Sequence, residues 1–223
     1  MGYLETVEID EARQQKLPFR MPVQWVNRPN LDFRGFAGCI ASGQIHPGDS
    51  VRILPSGRVT KVARIVTQDG DLQQAVAGQS VTMTLADEVD CSRGDVIAVA
   101  DAPSDVADQF QATLIWMHEQ PMLGGRPYLM KIGGKTTPVT FAAPKYKINV
   151  NTLEHLAAKE LALNELGVCN LSSSQPIAFD AYKDNRETGS FILIDRLSNA
   201  TVGAGLIDFS LRRSQNIHMQ HVN

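Results

Sequence analysis

A glycine-rich stretch, Gly35–Asp49, constrains the fold of this 223-residue chain more than any other segment. It alternates small and apolar residues, carries turn signals at Ser42-Gly43 and Pro47-Gly48, and leads into an apolar run at Val51. This alternation predicts a β-hairpin whose strands are buried on one face. Glycines permit the bends and the close backbone approach that the corners of a small closed barrel require.

Short strand patterns separated by turns continue through residues 18–103, and no convincing helix interrupts them. Charged and apolar residues alternate from Arg58 to Val66, and two further apolar runs, Val81–Leu85 and Val96–Val99, each follow a turn. Pro22 confines the beginning of this region to a sheet edge or an irregular strand, because proline lacks the N–H that a ladder needs. Residues 18–103 are therefore predicted to form a β-barrel.

A second set of strand patterns fills residues 104–213. The predicted strands lie around Phe110 and at Tyr128–Ile132, Thr137–Phe141, Tyr146–Val150, Val168–Leu171, Ile177–Phe179, Phe191–Ile194 and Thr201–Ile207. The fold class is predicted to be all-β, with two consecutive barrels of six to seven strands each. Residues 1–17 are predicted to be a short helix and linker leaving a preceding domain, and residues 214–223 a polar tail or linker.

The segment 152–166 fits two structures about equally well. It is rich in strong helix formers, which favours a helix. Its leucines match one helical face only in part, and Glu160 to Asn164 alternate as a strand would. The pattern alone leaves both readings open.

Composition bounds the partners and the compartment. The net charge is −3 and the pI is near 5.9, which disfavours nucleic acid as the main partner because phosphate binding usually leaves a basic footprint. No apolar stretch is long enough to span a bilayer and the N-terminus lacks a signal-peptide pattern, so we expect a cytoplasmic protein without membrane contact.

Cys39, Cys91 and Cys169 form no CxxC pair and are expected to be reduced, mostly buried thiols.

Two short motifs resemble parts of nucleotide sites without completing one. Ile132–Thr136 ends like a phosphate-binding P-loop, but Leu129 stands where the first glycine of that motif belongs, and the residues that follow begin a helix poorly. A hairpin turn between two strands is the expected structure. Asp32–Gly35 matches the DxxG pattern of GTPases, a match expected by chance in a chain of this length.

The sequence shows no catalytic constellation and no metal-ligand spacing, so no catalytic, cofactor-binding or metal-binding residue is predicted in this chain. The polar segment Asp184–Gly189 is expected to be a hairpin loop. It is either a solvated connection or a contact with a partner or neighbouring domain. Under the second alternative, the contact residues are Asp184, Asn185, Arg186 and Glu187.

Several segments carry a resemblance to known families. Arg34–Asp49, Ala77–Val81 and Arg93–Ile97 resemble, in that order, the second domain of translational GTPases of the elongation factor Tu class. In the second half, Leu163–Gly167, Gln175–Asp180, Asn185–Asp195 and Thr201–Gly205 resemble the large GTPase subunit of bacterial sulfate adenylyltransferase (ATP sulfurylase), and equally its fusion with adenylylsulfate kinase. The match from Asn185 to Asp195 is the most specific.

The resemblance implies a role for the chain. It would comprise the two translation-factor-like barrels of a subunit whose GTPase domain, with its GTP and Mg²⁺, is absent here. That subunit couples GTP hydrolysis to the synthesis of adenylylsulfate from ATP and sulfate, so the implied partners are the small catalytic subunit, the GTPase domain and, in the fused form, a C-terminal adenylylsulfate kinase domain. The resemblance also favours loop and strand for 152–166. The alternative function is that of tRNA-binding barrels in a translation elongation factor.

Overall fold

A computed structural model describes residues 11–30 and 32–212, which form one short helix and two β-barrels. Helix α1 spans Glu11–Lys16 and falls within the segment predicted to contain a helix. Its glutamate, alanine, arginine, glutamines and lysine are all good helix formers. Residues 1–10 and the predicted tail 214–223 lie outside the described residues.

The first barrel is built from ten strands and confirms the predicted all-β architecture. They are β1 Arg20–Pro22, β2 Trp25–Asn27, β3 Gly35–Cys39, β4 Gln44–Ile45, β5 Ser50–Leu54, β6 Arg58–Thr67, β7 Gly70–Leu72, β8 Ala75–Val76, β9 Ser80–Leu85 and β10 Val96–Val99. The sheet order is β1-β10-β5-β6-β9-β3-β2, with β7 beside β6 and β4 paired to β8. Only two residues separate β1 from β2, so this path closes on itself.

The strands predicted between Gly35 and Leu54 are present, but their predicted pairing as a hairpin is wrong. β3 pairs with β2 and β9, β4 pairs with β8, and β5 pairs with β10 and β6. The residues after β3 are held by other partners, since the Ile40 N–H donates to the Gln79 carbonyl and the Ala41 N–H to the Arg20 carbonyl. The chain therefore crosses the end of the barrel instead of folding back on β3.

The second barrel contains eight strands. They are β11 Asp105–Trp116, β12 Tyr128–Ile132, β13 Lys135–Phe141, β14 Tyr146–Ile148, β15 His155–Leu156, β16 Leu166–Phe179, β17 Ser190–Ile194 and β18 Thr201–Arg212. Six strands in the order β11-β18-β17-β12-β13-β16 close through the pairing of β11 with β16. β14 and β15 form a small hairpin on the outer edge of β16.

Two of the strands predicted separately are one long strand, β16. Its ladder with β11 is interrupted between Ser172 and Ile177, and Pro176, which cannot donate a backbone hydrogen bond, lies in that gap. The intervening Ser173 pairs instead with Val139 on β13. The polar interruption in the sequence therefore marks an irregularity in the pairing of a continuous strand.

The segment 152–166 is not a helix, which confirms the loop and strand that the family resemblance implied. It consists of turns around the short strand β15, and Leu153 and Asn164 have positive φ angles of 61° and 63°. The Asn164 N–H donates to the Trp116 carbonyl. Leu161 is fully buried while Leu163 is exposed. The segment is fixed by contacts with the barrel, and local helix propensity is overridden.

Each barrel has its own apolar core. Inward-facing residues alternate with outward ones along the strands, as in β11, where Phe110, Ala112 and Leu114 are buried. A small third cluster joins the barrels and is described with the seam below. No helix within residues 11–30 and 32–212 has the length and apolar character needed to cross a bilayer.

Candidate interaction surfaces at the barrel seam

The two barrels meet along a seam whose central polar contact is an ion pair between Arg20 and Asp180. Arg20 lies on β1, and Asp180 follows directly after β16. The Arg20 Nε and Nη2 atoms donate to the two carboxylate oxygens at 3.0 Å each, a two-pronged geometry that fixes orientation as well as distance. The side chains are only 6% and 14% exposed. Burial on this scale makes the pair a structural joint between barrels.

Both members of this ion pair also form hydrogen bonds with other residues. Asp180 accepts hydrogen bonds from the hydroxyls of Ser104 and Thr188, at 3.0 and 2.7 Å. The Nη1 atom of Arg20 donates to the carbonyl of Phe19. Burying charged groups is tolerable when their hydrogen-bonding sites are filled, and here they are.

Apolar and glycine contacts complete the seam. Leu54, Val96 and Ala98 of the first barrel pack against Val106 and Ala178 of the second. The backbones come close at Gly94, where an added Cβ would lie 2.9 Å from the Cα of Lys135. The two backbones touch here because glycine has no side chain.

The P-loop-like motif contributes to this contact. It is a tight turn between β12 and β13, with Ile132 paired to Lys135, which confirms the expected hairpin turn. A Cβ added to Gly134 in that turn would lie 2.9 Å from the Val23 carbonyl oxygen of the first barrel. The glycines therefore serve contact between the barrels.

The predicted partner-contact residues lie in the connection from β16 to β17, on the second barrel's side of the seam. These strands are not neighbours in the sheet, so the expected hairpin loop is a crossover connection. Asn185 is buried, and its Nδ2 donates to the hydroxyl of Ser42 on the first barrel at 2.9 Å. Asp184, Arg186 and Glu187 are exposed. One member of the group thus points into the seam and the other three point outward.

A groove of about 470 Å³ lies beside this loop. Its walls are Gln14 of α1, Leu17, Ala41 of the first barrel, and the loop from Tyr182 to Glu187. The guanidinium of Arg186 lies over the ring of Tyr182 at 6.0 Å from the ring centroid. Although Glu187 is exposed, desolvation of its carboxyl at the rim of the groove raises the pKa of that group. Charged side chains at the edge of a groove correspond to the polar rim of a protein–protein interface.

The other candidate groups show no arrangement for catalysis. Burial raises the pKa of both Cys91 and Cys169 to about 12, so these thiols remain protonated and unreactive near neutral pH. Asp32 of the DxxG match is an exposed turn residue whose N–H donates to Asn30. Within the part of the chain that the structure describes, no group of three or more His, Cys, Asp or Glu residues could hold a metal ion.

Sequence reasoning missed the residues that build the seam. In the sequence, Arg20 is an ordinary polar residue within a strand pattern. Asp180 is the last residue of the segment Gln175–Asp180 that resembles the family, and nothing in the sequence indicates that it pairs with Arg20. The two are 160 residues apart. An aligned family in which the two positions vary together would have provided the signal.

Two family models match the chain in the order of the barrels. The model described as elongation factor Tu domain 2 matches residues 37–98, and the GTP-eEF1A C-terminal domain-like model matches residues 109–208. Sulfate adenylyltransferase subunit 1 of Laribacter hongkongensis (strain HLHK9) is 52% identical over 208 residues, which are 93% of this chain and 43% of that protein. The bifunctional enzyme NodQ of Rhizobium sp. (strain N33) is 54% identical over 221 residues, which are 99% of this chain and 34% of NodQ.

The chain is similar to sulfate adenylyltransferase subunit 1 and to NodQ along nearly its whole length. It spans between a third and a half of the length of these two relatives. The structure described as sup35 complexed with GDP superposes with a TM-score of 0.81 at 20% identity, covering 95% of this chain and 52% of that one. This superposition includes both barrels, and at such identity it concerns the fold alone.

Proposed function

We propose that this chain is the non-catalytic barrel region of the cytoplasmic GTPase subunit of sulfate adenylyltransferase, which couples GTP hydrolysis to the synthesis of adenylylsulfate from ATP and sulfate. The observation that carries the proposal is the 52% identity with sulfate adenylyltransferase subunit 1 across both barrels. GTP and Mg²⁺ bind in a GTPase domain outside this chain. The barrels position that domain and bind the small catalytic subunit.

The seam supports the positioning role. A doubly hydrogen-bonded, buried ion pair together with close glycine contacts holds the two barrels in one orientation. The groove beside α1, with the outward charges of Asp184, Arg186 and Glu187, is the surface that we assign to the GTPase domain. A protein of the bifunctional kind would in addition carry an adenylylsulfate kinase domain after the second barrel.

The test is an assay of adenylylsulfate synthesis with the full-length protein and the purified catalytic subunit, with and without GTP. The proposal expects synthesis to require both proteins and to rise with GTP. This chain expressed alone is expected to support neither GTP binding nor synthesis. Measurable GTP binding by this chain alone would contradict the assignment.

The match to an elongation factor Tu domain favours, as a second candidate, barrels that bind tRNA. Such binding needs clustered positive charge and weakens steeply with salt. The chain instead has 21 lysines and arginines against 24 aspartates and glutamates. A filter-binding titration with tRNA at low salt separates the two: salt-sensitive binding at micromolar concentration or tighter would support the translation function.

A further inference from the structure

Four connections meet at the end of the second barrel that faces away from the seam. They are residues 117–127, the tip of the β14–β15 hairpin at 149–154, residues 157–165 and residues 195–200. Backbone hydrogen bonds join two of them to each other and to the barrel, since the Asn164 N–H donates to the Trp116 carbonyl and the Met122 N–H to the Leu161 carbonyl. In the turn at 195–200, the Asp195 N–H donates to the Ala200 carbonyl. These four connections, with β15, are called the distal face below.

The distal face concentrates exposed apolar side chains. Seven of the twelve large apolar side chains that are exposed in the described residues lie on it. Leu197, in the turn between β17 and β18, is 86% exposed, and Leu153, at the hairpin tip, is 73% exposed. The others are Met117, Leu123, Val150, Leu156 and Leu163. Scattered single apolar residues are normal on a surface, but a cluster of this kind marks an interaction site.

A groove of about 420 Å³ lies within this face. Buried Trp116 and Tyr128 form part of its wall, and Leu197 lies at its rim. Arg126 and Asp195 form an ion pair beside it, and the Arg126 guanidinium lies over the Tyr128 ring at 5.6 Å from the centroid. An aromatic pocket with a few fixed polar groups is the arrangement in which interface anchors of a partner are held.

The position of the described ends favours a separate polypeptide as the occupant. β18 begins at the distal face and runs the full length of the barrel to Arg212, which pairs with Gln109 near the seam. α1 lies at the seam, where Gln14 lines one groove with Ala41 of the first barrel and with the second barrel's loop from Tyr182 to Glu187. Any part of the polypeptide that continues from either end would have to cross the second barrel, roughly 35 Å of strand, before it could cover the distal face. A second protein reaches it directly.

We propose that the distal face docks a separate folded protein through an apolar surface, with Leu197, Leu123 and the hairpin tip as its main contacts. The identification of that protein as the catalytic subunit rests on the function proposed above. The same face carries exposed charges of both signs, so the complementary surface combines apolar contacts with polar ones. These charged residues are Glu119, Glu154, Lys159, Glu160 and Arg196. The GTPase domain, at the seam groove, and the catalytic subunit, at the distal face, would then bind separate surfaces of the two-barrel unit.

The test compares two double variants of the full-length protein in a titration with purified catalytic subunit. The distal variant is Leu197→Ser with Leu123→Ser. The control is Val59→Ser with Phe209→Ser, which removes two exposed apolar side chains away from the distal face. We expect the distal variant to bind about tenfold or more weakly, because apolar anchors dominate interface energetics, and the control to stay within about twofold of the wild type. Thermal unfolding of both variants checks that the fold is intact.

The outcomes distinguish this inference from the function on which it rests. Wild-type affinity in the distal variant overturns the docking site and leaves the proposed function in place. Failure of the wild-type full-length protein to bind the catalytic subunit overturns both. If sedimentation shows a wild-type dimer that only the distal variant dissociates, the face joins two copies of the protein and the proposal is wrong.

Discussion

Asp180 is the residue on which the polar contacts of the seam converge. Asp180→Ala leaves the guanidinium of Arg20, which is 6% exposed, without its counterion in a largely dry environment. Removing one partner of a buried ion pair is strongly destabilising, because the remaining charge stays desolvated. We expect a loss of about 3 kcal/mol in the free energy of unfolding, measured by urea denaturation.

The matched control is Asp71→Ala in the first barrel. Asp71 also receives two hydrogen bonds from one arginine, Arg64, at 2.6 and 3.0 Å, but this pair is exposed to solvent. Exposed ion pairs contribute little to stability. If the two variants shift the urea midpoint equally, the seam pair is no more than a surface contact.

The buried thiols provide a prediction about pH. Burial raises the pKa of Cys91 and Cys169 to about 12, above the value of about 8.5 for a free thiol. In the folded protein they stay protonated up to about pH 12, whereas in the unfolded chain they ionise above about pH 8.5. Their contribution to stability is therefore complete below pH 8.5 and is lost as the pH rises towards 12.

The measurement is alkylation with iodoacetamide at pH 8, followed by mass spectrometry. We expect Cys91 and Cys169 to be protected in the native protein, because the thiolate is the reactive form, and all three cysteines to be modified after denaturation. Cys39, which is half-buried, is the internal comparison. Native modification of Cys169 at the rate of the denatured chain would contradict its burial.

Among the structural elements, the turn before β10 is one of the places where the two barrels approach closely. Gly94 and Gly78 both have φ angles near +90°, at 94° and 90°. A Cβ at Gly94 would lie 2.9 Å from the Cα of Lys135, while a Cβ at Gly78 would meet nothing within 4 Å. Gly78→Ala measures backbone strain alone, and Gly94→Ala adds steric conflict at the seam. We expect Gly94→Ala to cost about 1–3 kcal/mol more in unfolding free energy, by urea titration.

The packing of the loop at 157–165 can be tested by substitution of its leucines. Leu161 is completely buried against the second barrel's core, whereas Leu163 is 44% exposed. Leu161→Ala is expected to lower the free energy of unfolding by about 2–5 kcal/mol, the range for a buried leucine. Leu163→Ala should change the urea midpoint little. Similar effects of the two substitutions would indicate that the loop is not held as described.

The same loop shows what sequence pattern can and does not reveal. The alternation of apolar and polar residues located most strands, because successive residues of a strand face opposite sides of the sheet and a half-buried strand therefore shows a period of two. The state of residues 152–166 depended on Leu161 entering a core built from distant strands, so propensity and periodicity left it open. The prediction of a hairpin after β3 was wrong for the same reason. The residues that follow β3 bind Gln79 and Arg20, which are distant from them in the sequence.

At the scale of the whole molecule, the seam was not predictable from the sequence. The polarity of residues 184–187 located the candidate loop. Which of its side chains points into the seam depends on Ser42, which lies 143 residues from Asn185 and accepts its hydrogen bond. Arg20 and Asp180 likewise meet only in the folded chain. A barrel can be recognised from local alternation, whereas the orientation of two barrels is set by long-range contacts that no local pattern encodes.

The outward charges of that loop provide the last prediction. If Asp184 and Glu187 contact the GTPase domain, the double variant Asp184→Arg with Glu187→Arg reverses two charges at that interface and removes the match with the opposing surface. We expect GTP-stimulated adenylylsulfate synthesis to fall several-fold while synthesis without GTP is unchanged, with a loss that diminishes at high salt because exposed charges are screened. Asp69→Arg, in an exposed turn of the first barrel, is the control. Full GTP stimulation in the double variant would mean that the GTPase domain docks elsewhere, because a reversal of two charges in a contact cannot leave its electrostatics unchanged.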